Sequence, residues 1–176
     1  DALPIFRLSV PIIKDIIRAY RIPILEVSGY EADDVIGTLA TEAGRQGITT
    51  YMMTPDKDYG QLVSDRVFMY RPKHTGGFEV MGTEEVKTKF NIQTTEQVID
   101  MLGLMGDASD NIPGCPGVGE KTAQKLIAEF GSIENLLEHT DQLKGALKTK
   151  VETNREMITF SKFLATIKTD VPIQLD

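Results

Sequence analysis

The feature that most constrains the fold is a change of hydrophobic periodicity near Gly82. Before it, helical and strand spacings alternate; after it, helical spacing dominates. Val10, Ile13, Ile16, Ile17 and Tyr20 predict an amphipathic helix over 9–20, and Pro23 precedes a short strand at 24–27. Val35, Ile36, Leu39, Ala40 and Ala43 mark a second helix, followed by a β-branched and aromatic strand at 49–53. A further strand at 67–70 is turned back by Gly76-Gly77 into a strand at 78–81, a hairpin signal. Such alternation predicts a parallel sheet with helices on its faces. Beyond it, Thr83 can N-cap a helix to Phe90, and Thr94 or Thr95 another to about Met105. Helices are also expected at 120–130, 132–138 and through most of 142–167, with one candidate strand at 171–175. The chain therefore divides into an α/β lobe, 1–82, and a helical lobe, 83–176.

Composition narrows the chemistry. A single cysteine, Cys115, cannot form an internal disulfide and points to a reducing, cytosolic setting. With only His74 and His139 beside it, a Cys/His zinc site lacks ligands, and neither histidine sits in a nucleophile motif. No apolar run approaches the roughly 20 residues of a membrane helix, and no basic segment precedes an apolar one as in a signal peptide. The chain opens at Asp1 rather than Met, as expected of a piece of something longer. Its formal charge is −7, which by itself opposes a polyanionic partner.

The positions of the acids change that inference. Glu31, Asp33 and Asp34 open a predicted helix after the strand at 24–27; Asp56 and Asp58 follow the strand at 49–53; Asp107 and Asp110 follow the apolar run 101–105. Loops leaving the carboxyl ends of strands in an open α/β sheet converge on one crevice. Asp56 and Asp58, if extended, point the same way, and the i,i+3 pairs Glu31/Asp34 and Asp107/Asp110, if helical, share a face. Two such carboxylates about 5 Å apart repel by roughly 3 kcal/mol at an effective dielectric near 20. A group of them either protonates in part or holds cations, and oxygen-only ligands suit Mg²⁺ or Mn²⁺. Two such ions would offset much of the negative charge. Any one cluster alone reads more readily as helix caps and solvated turns; three of them at strand-end positions shift the balance toward a metal site.

The stretch from Asn111 to Ala123 holds a second candidate. As a P-loop it fails, because Glu120 follows Gly119 where lysine is required. As a helix–hairpin–helix turn it works: Gly117 and Gly119 permit positive φ around Val118, and the N–H groups opening the next helix can face a phosphate. Lys121 and Lys125, one turn apart, can add charge on that side, with Thr122 between them. Contacts of this kind hold the sugar–phosphate chain without reading bases. A plain glycine-rich helix cap is the alternative. Between Asp141 and Lys168, six basic residues face three acids, a local surplus in an acidic chain.

Gly29-Tyr30-Glu31-Ala32-Asp33-Asp34-Val35-Ile36, Asp56-Lys57-Asp58, Gly106-Asp107-Ala108-Ser109-Asp110-Asn111-Ile112-Pro113-Gly114 and Gly117-Val118-Gly119-Glu120-Lys121-Thr122-Ala123 occur in that order. Together they resemble the flap endonuclease family, in particular the 5′→3′ exonuclease domains carried by bacterial DNA polymerases. The resemblance runs to Leu164–Val171. It implies a PIN-like α/β lobe with a parallel sheet, followed by an α-helical helix–three-turn–helix lobe that binds duplex DNA. It implies that Glu31, Asp33, Asp34, Asp56, Asp58, Asp107 and Asp110 bind two divalent ions that position the scissile phosphate and activate water. It also implies that Gly117, Val118, Gly119, Lys121, Thr122 and Lys125 form the DNA-binding turn, where relatives hold a K⁺ ion. The implied substrate is DNA with a 5′ flap, nick or 5′ end, in primer removal and repair. The implied setting is the bacterial cytoplasm at the nucleoid, with polymerase domains in the same parent chain and no membrane.

The family pattern begins with an aspartate-bearing strand and a basic helical arch that lie upstream of the equivalent of Asp1. The sequence therefore corresponds to the C-terminal portion of such a domain, with weak or no cleavage expected of it alone. Rival readings are a non-catalytic DNA-binding module, a small-molecule phosphatase that leaves the glycine turn without a role, and a scaffold that gains nothing from divalent ions.

Overall fold

The computed structural model describes residues 3–73 and 75–174. Eleven helices and strands appear among them: α1 (Leu3–Ala19), α2 (Ala32–Arg45), β1 (Thr50–Met53), β2 (Val67–Pro72), β3 (Phe78–Met81), α3 (Thr83–Phe90), α4 (Gln97–Met105), α5 (Glu120–Phe130), α6 (Ile133–Glu138), α7 (Gly145–Thr153) and α8 (Arg155–Ala165), with the 3₁₀ segment Lys57–Leu62 following β1. A short 3₁₀ turn, Thr140–Gln142, precedes α7.

The sheet has three strands in the order β1-β2-β3. β1 and β2 are parallel, Thr50 facing Val67 and Met53 facing Tyr70, so the connection between them crosses over through the 3₁₀ segment. β2 and β3 are antiparallel, joined by a turn in which Gly76 and Gly77 have φ of 86° and 78°, as the hairpin signal requires. Alternation in β2 buries Val67 and Met69 on one face.

α4 is the hub of the helical part. Val98, Met101, Leu102 and Leu104 are all fully buried, which a helix achieves only when neighbours cover most of its circumference. α8 approaches closely because residue 103 is glycine; a Cβ there would lie 3.1 Å from the Lys162 Cα. One continuous hydrophobic core runs from Met52, Val67 and Met69 of the sheet through Val98 to Leu126, Ile133 and Ile158 of the helices. Asp100, buried under α6, accepts hydrogen bonds from the Ile133 N–H at 3.0 Å and the Lys162 ammonium at 2.6 Å.

Some expectations need correction. The stretch 24–27 is not a strand: β-propensity without a pairing neighbour does not make one, and β1 pairs only with β2 among the described residues. Residues 171–174 form no strand either, and Leu175 lies outside the described residues, as does His74. α3 is capped by Gly82 rather than Thr83, with the Glu85 carboxylate accepting from the Gly82 N–H at 2.9 Å. Thr95 does not cap α4; its hydroxyl donates to the Val63 carbonyl at 2.9 Å. The helix expected at 9–20 is longer, Leu3–Ala19, and Ile5, Phe6, Leu8, Ile12 and Ile16 on it stay exposed.

Candidate metal centre

The expected acids come from three local structures, none quite as the spacing implied. Glu31 is the N-cap of α2 and forms a capping box with Asp34 three residues on, so both carboxylates are held at one helix end. Asp34 is fixed further by Lys168, whose backbone N–H donates to Oδ1 at 2.9 Å. Asp56 has extended backbone, φ −70° and ψ 125°, but the chain turns into the 3₁₀ segment before Asp58, so the pair does not lie in one extended run. Asp56 caps the 3₁₀ segment by accepting from the Asp58 N–H at 3.0 Å, and Asp58 is the segment's second residue. Asp107 and Asp110 are not helical: α4 stops at Gly106, and a tight turn follows, closed by the Asp107–Ile112 bridge. Within it the Ser109 N–H donates to Asp107 Oδ1 at 2.9 Å.

That turn depends on a close backbone crossing. Gly106 and Gly114 both have positive φ, 73° and 63°, and a Cβ on Gly114 would lie 2.4 Å from the Gly106 nitrogen. The Gly114 N–H donates to the buried Ser161 hydroxyl of α8 at 2.9 Å, which locks the crossing to the core.

The separate pieces meet. Asp58, Asp107 and Asp110 each present a carboxylate oxygen within 4.8 Å of the others. Glu31, Asp33, Asp34, Asp58 and Asp110 line a common cavity of about 380 Å³, closed on its other side by Leu164–Ile167 at the end of α8. Asp56 and Asp107 do not line it, yet the charges of both act on Asp58 and Asp110. Burial, then the charges of Asp56, Asp107 and Asp110, push the Asp58 carboxyl up to about 7 against the opposing pull of Lys57. Asp110 is raised for the same reasons, burial first and Asp107 next. Asp107 goes the other way: burial would raise it, but hydrogen bonds from Lys57 and the Ser109 backbone outweigh that and hold it low. Tyr59 is raised by burial and by Asp33, Asp56 and Asp34.

Two observations test whether these residues suit a divalent cation. All the donors are carboxylate oxygens, the set preferred by hard ions. The buried Asp58 Oδ1 has no hydrogen-bond partner, an unsatisfied acceptor aimed into the cluster. The fit is good. The Lys57 ammonium, bonded to Asp107 Oδ2 and 4.0 Å from Asp58 Oδ1, is the one basic side chain paired into the cluster among the described residues.

Sequence spacing did not reveal Lys57 or Gln61. Gln61 donates to the Asp58 carbonyl at 3.0 Å and the Ala165 carbonyl at 2.9 Å, and accepts from the Ile167 N–H at 3.0 Å. It thereby ties the cavity's far wall to the acid-bearing segment. Lys57 is visible in the sequence as a cation between two acids; nothing marks Gln61, because all its partners are backbone groups and two of the three lie more than a hundred residues away.

The glycine turn lies at the other end of the same connection. Gly117 has φ of 76°, whereas Gly119 is extended, φ −97° and ψ 179°, and N-caps α5. Gly117, Gly119, Lys121 and Lys125 are exposed and Thr122 is half-buried, but Val118 is buried in the core and offers only backbone outward.

The model of the 5′-3′ exonuclease N-terminal resolvase-like domain matches residues 4–91, and that of the 5′-3′ exonuclease C-terminal SAM fold matches residues 93–176. DNA polymerase I of Bacillus caldotenax is 46% identical over 94% of this chain and 19% of its own length; that of Bacillus subtilis is 47% identical over 95% and 19%. The chain thus spans about a fifth of the length of these curated relatives. Among solved structures, the bacteriophage T5 5′-exonuclease with bound zinc superposes with a TM-score of 0.78 at 23% identity, covering 89% of this chain and 58% of that one. A T5 flap endonuclease complex with DNA and metal ions gives 0.76 at 22% identity, covering 87% and 56%. The sheet-plus-helices architecture is that of these nucleases.

Proposed function

The chain belongs to the 5′-3′ exonuclease family, and from that premise we propose that it is the 5′→3′ exonuclease and flap endonuclease part of a bacterial DNA polymerase I, cutting DNA at a 5′ flap, nick or 5′ end. The observation that carries this reading is the convergence of Asp58, Asp107 and Asp110 within 4.8 Å around an unpartnered buried oxygen. A non-catalytic DNA-binding module would give that costly arrangement no role.

Two divalent ions, Mg²⁺ or Mn²⁺, would supply hydroxide near neutral pH and offset charge on the phosphoryl oxygens. The chain's own part is to hold them and to place DNA. Asp58, Asp107 and Asp110 form one ligand group; Glu31, Asp33 and Asp34, across the same cavity, form the other. Asp34 spends lone pairs on the Lys168 and Glu31 N–H groups and retains others for a cation. Asp56 sets the 3₁₀ segment on which Asp58 rides. No side-chain nucleophile is required: Cys115 is buried and its thiol is raised by that burial. The lobe 83–176 adds the phosphate grip through Gly117, Gly119, Lys121, Thr122 and Lys125 and the backbone of Val118, while the lobe 1–82 provides five of the acids. A K⁺ ion at this turn, expected from the resemblance, would have to share the Gly117 carbonyl with the Lys150 ammonium 3.3 Å away. No described helix is long and apolar enough to cross a membrane. The proposed setting is the bacterial cytoplasm at the nucleoid, in primer removal and repair, with polymerase domains in the same parent chain.

The test is cleavage of a 5′-labelled flap duplex by the full-length polymerase in Mg²⁺. Loss of groups that merely orient metal ligands costs about 10–100-fold, so Asp107→Asn is expected to reduce flap release at least a hundredfold while polymerisation continues. Undiminished flap release would overturn the assignment.

A further inference from the structure

The DNA-facing turn carries a cation that comes from a distant helix. Lys150, in the last turn of α7, donates from its ammonium to the Gly117 carbonyl at 3.3 Å. Its backbone is anchored there: the Lys150 carbonyl accepts from Asn154 Nδ2 at 2.8 Å and from the Cys115 thiol at 3.8 Å. Residue 117 favours glycine because its φ is 76°, and the Lys150 nitrogen lies 2.6 Å from where a Cβ would be. Lys150 makes no ion pair among the described residues; on the same helix it is Lys148 that pairs with Glu152, at 3.9 Å. Both Lys150 and Gly117 are exposed, and nothing lies within 4 Å of a Cβ placed on Gly119, so the turn beside this charge is open.

The ammonium held at the Gly117 carbonyl repels a second cation brought beside it. A full positive charge held on an open, glycine-rich turn also has the position and chemistry to meet a phosphate. We propose that Lys150 is a DNA-backbone-binding residue whose tethered ammonium takes the place of a free monovalent cation at the Gly117–Gly119 turn. The inference rests on the reading that this turn grips DNA. It departs from the K⁺ expectation because a cation of the chain itself already lies at one carbonyl of the turn, that of Gly117.

Binding of a fluorescent 5′-flap duplex to this chain, in EDTA and without cleavage, separates the possibilities. At matched ionic strength near 0.1 M, wild-type affinity is expected to agree within about twofold between KCl and LiCl. One phosphate contact contributes about 0.9 to the slope of log affinity against log salt, so Lys150→Met should weaken binding about eightfold at that salt and flatten the slope by about 0.9. Wild-type binding that drops severalfold when Li⁺ replaces K⁺ would overturn the proposal, as would Lys150→Met binding like the wild type. Lys121→Ala distinguishes the two levels: if it weakens binding and Lys150→Met does not, only the Lys150 assignment fails. If neither variant matters, the turn itself is not the DNA surface. Should Lys150→Met melt at a lower temperature, Lys150→Arg must restore affinity, and failure to do so counts against the proposal.

Discussion

Replacing Asp58 with asparagine should stabilise the metal-free protein at high pH while removing its response to metal. Asp58 is only 7% exposed, and its carboxyl is displaced from 3.8 to about 7 by burial and by Asp56, Asp107 and Asp110. A carboxyl raised in the folded state contributes its full stability below about pH 4, and that stability is lost as pH rises through about 7. The displacement corresponds to a ceiling of about 4 kcal/mol at pH 8, or about 8–16 °C in melting temperature for a chain of this length. In EDTA at pH 8, Asp58→Asn should therefore melt several degrees above the wild type, with the gap closing by pH 4.5. Mn²⁺ at about a hundred times its Kd should add about 2.7 kcal/mol to the wild type and far less to the variant. The assay is differential scanning calorimetry across pH, with and without Mn²⁺. A variant that melts below the wild type at pH 8 in EDTA, with no dependence on pH, would show that the acids do not repel one another and would refute the reasoning.

Three further outcomes follow from the packing. Gly114→Ala should cost more than about 3 kcal/mol in urea unfolding, because its Cβ meets the Gly106 backbone at 2.4 Å and φ is positive. Gln61→Leu removes a donor to two carbonyls and the acceptor for the Ile167 N–H; a loss of about 2 kcal/mol is expected, with faster amide exchange at Ile167. Lys162→Met leaves the buried Asp100 carboxylate without its cation and should cost about 3 kcal/mol, whereas a double replacement that also makes residue 100 leucine should recover part of that in a double-mutant cycle.

What the sequence revealed, and what it hid, follows the range of the forces involved. β2, β3 and α5 were legible because their apolar spacing and their glycines act locally. The strand expected at 24–27 failed because pairing is a property of two segments, and propensity in one of them says nothing about a neighbour. Six of the seven expected acids lie in the close trio or on the shared cavity, Asp56 in neither, and the local geometry that places them is partly other than the spacing implies. Asp56 and Asp58 converge through a 3₁₀ cap rather than an extended chain, and Asp107 and Asp110 through a bridge-closed turn rather than a helix. Family motifs preserve which residues meet without revealing the local conformations that bring them together. Gln61 is not legible at all, since its partners across the cavity are backbone groups more than a hundred residues away; Lys150 is legible only as one of the six basic residues between Asp141 and Lys168, because its contact is with a backbone carbonyl 33 residues away that no pattern of side chains announces.

The most direct test of the account is anomalous diffraction at the manganese edge from crystals of the protein soaked in Mn²⁺. The account predicts a peak at coordination distance from carboxylate oxygens of Asp58, Asp107 and Asp110, with a second across the cavity toward Glu31, Asp33 and Asp34. Manganese bound only at other surfaces of the protein, with these oxygens left uncoordinated at saturating metal, would contradict it.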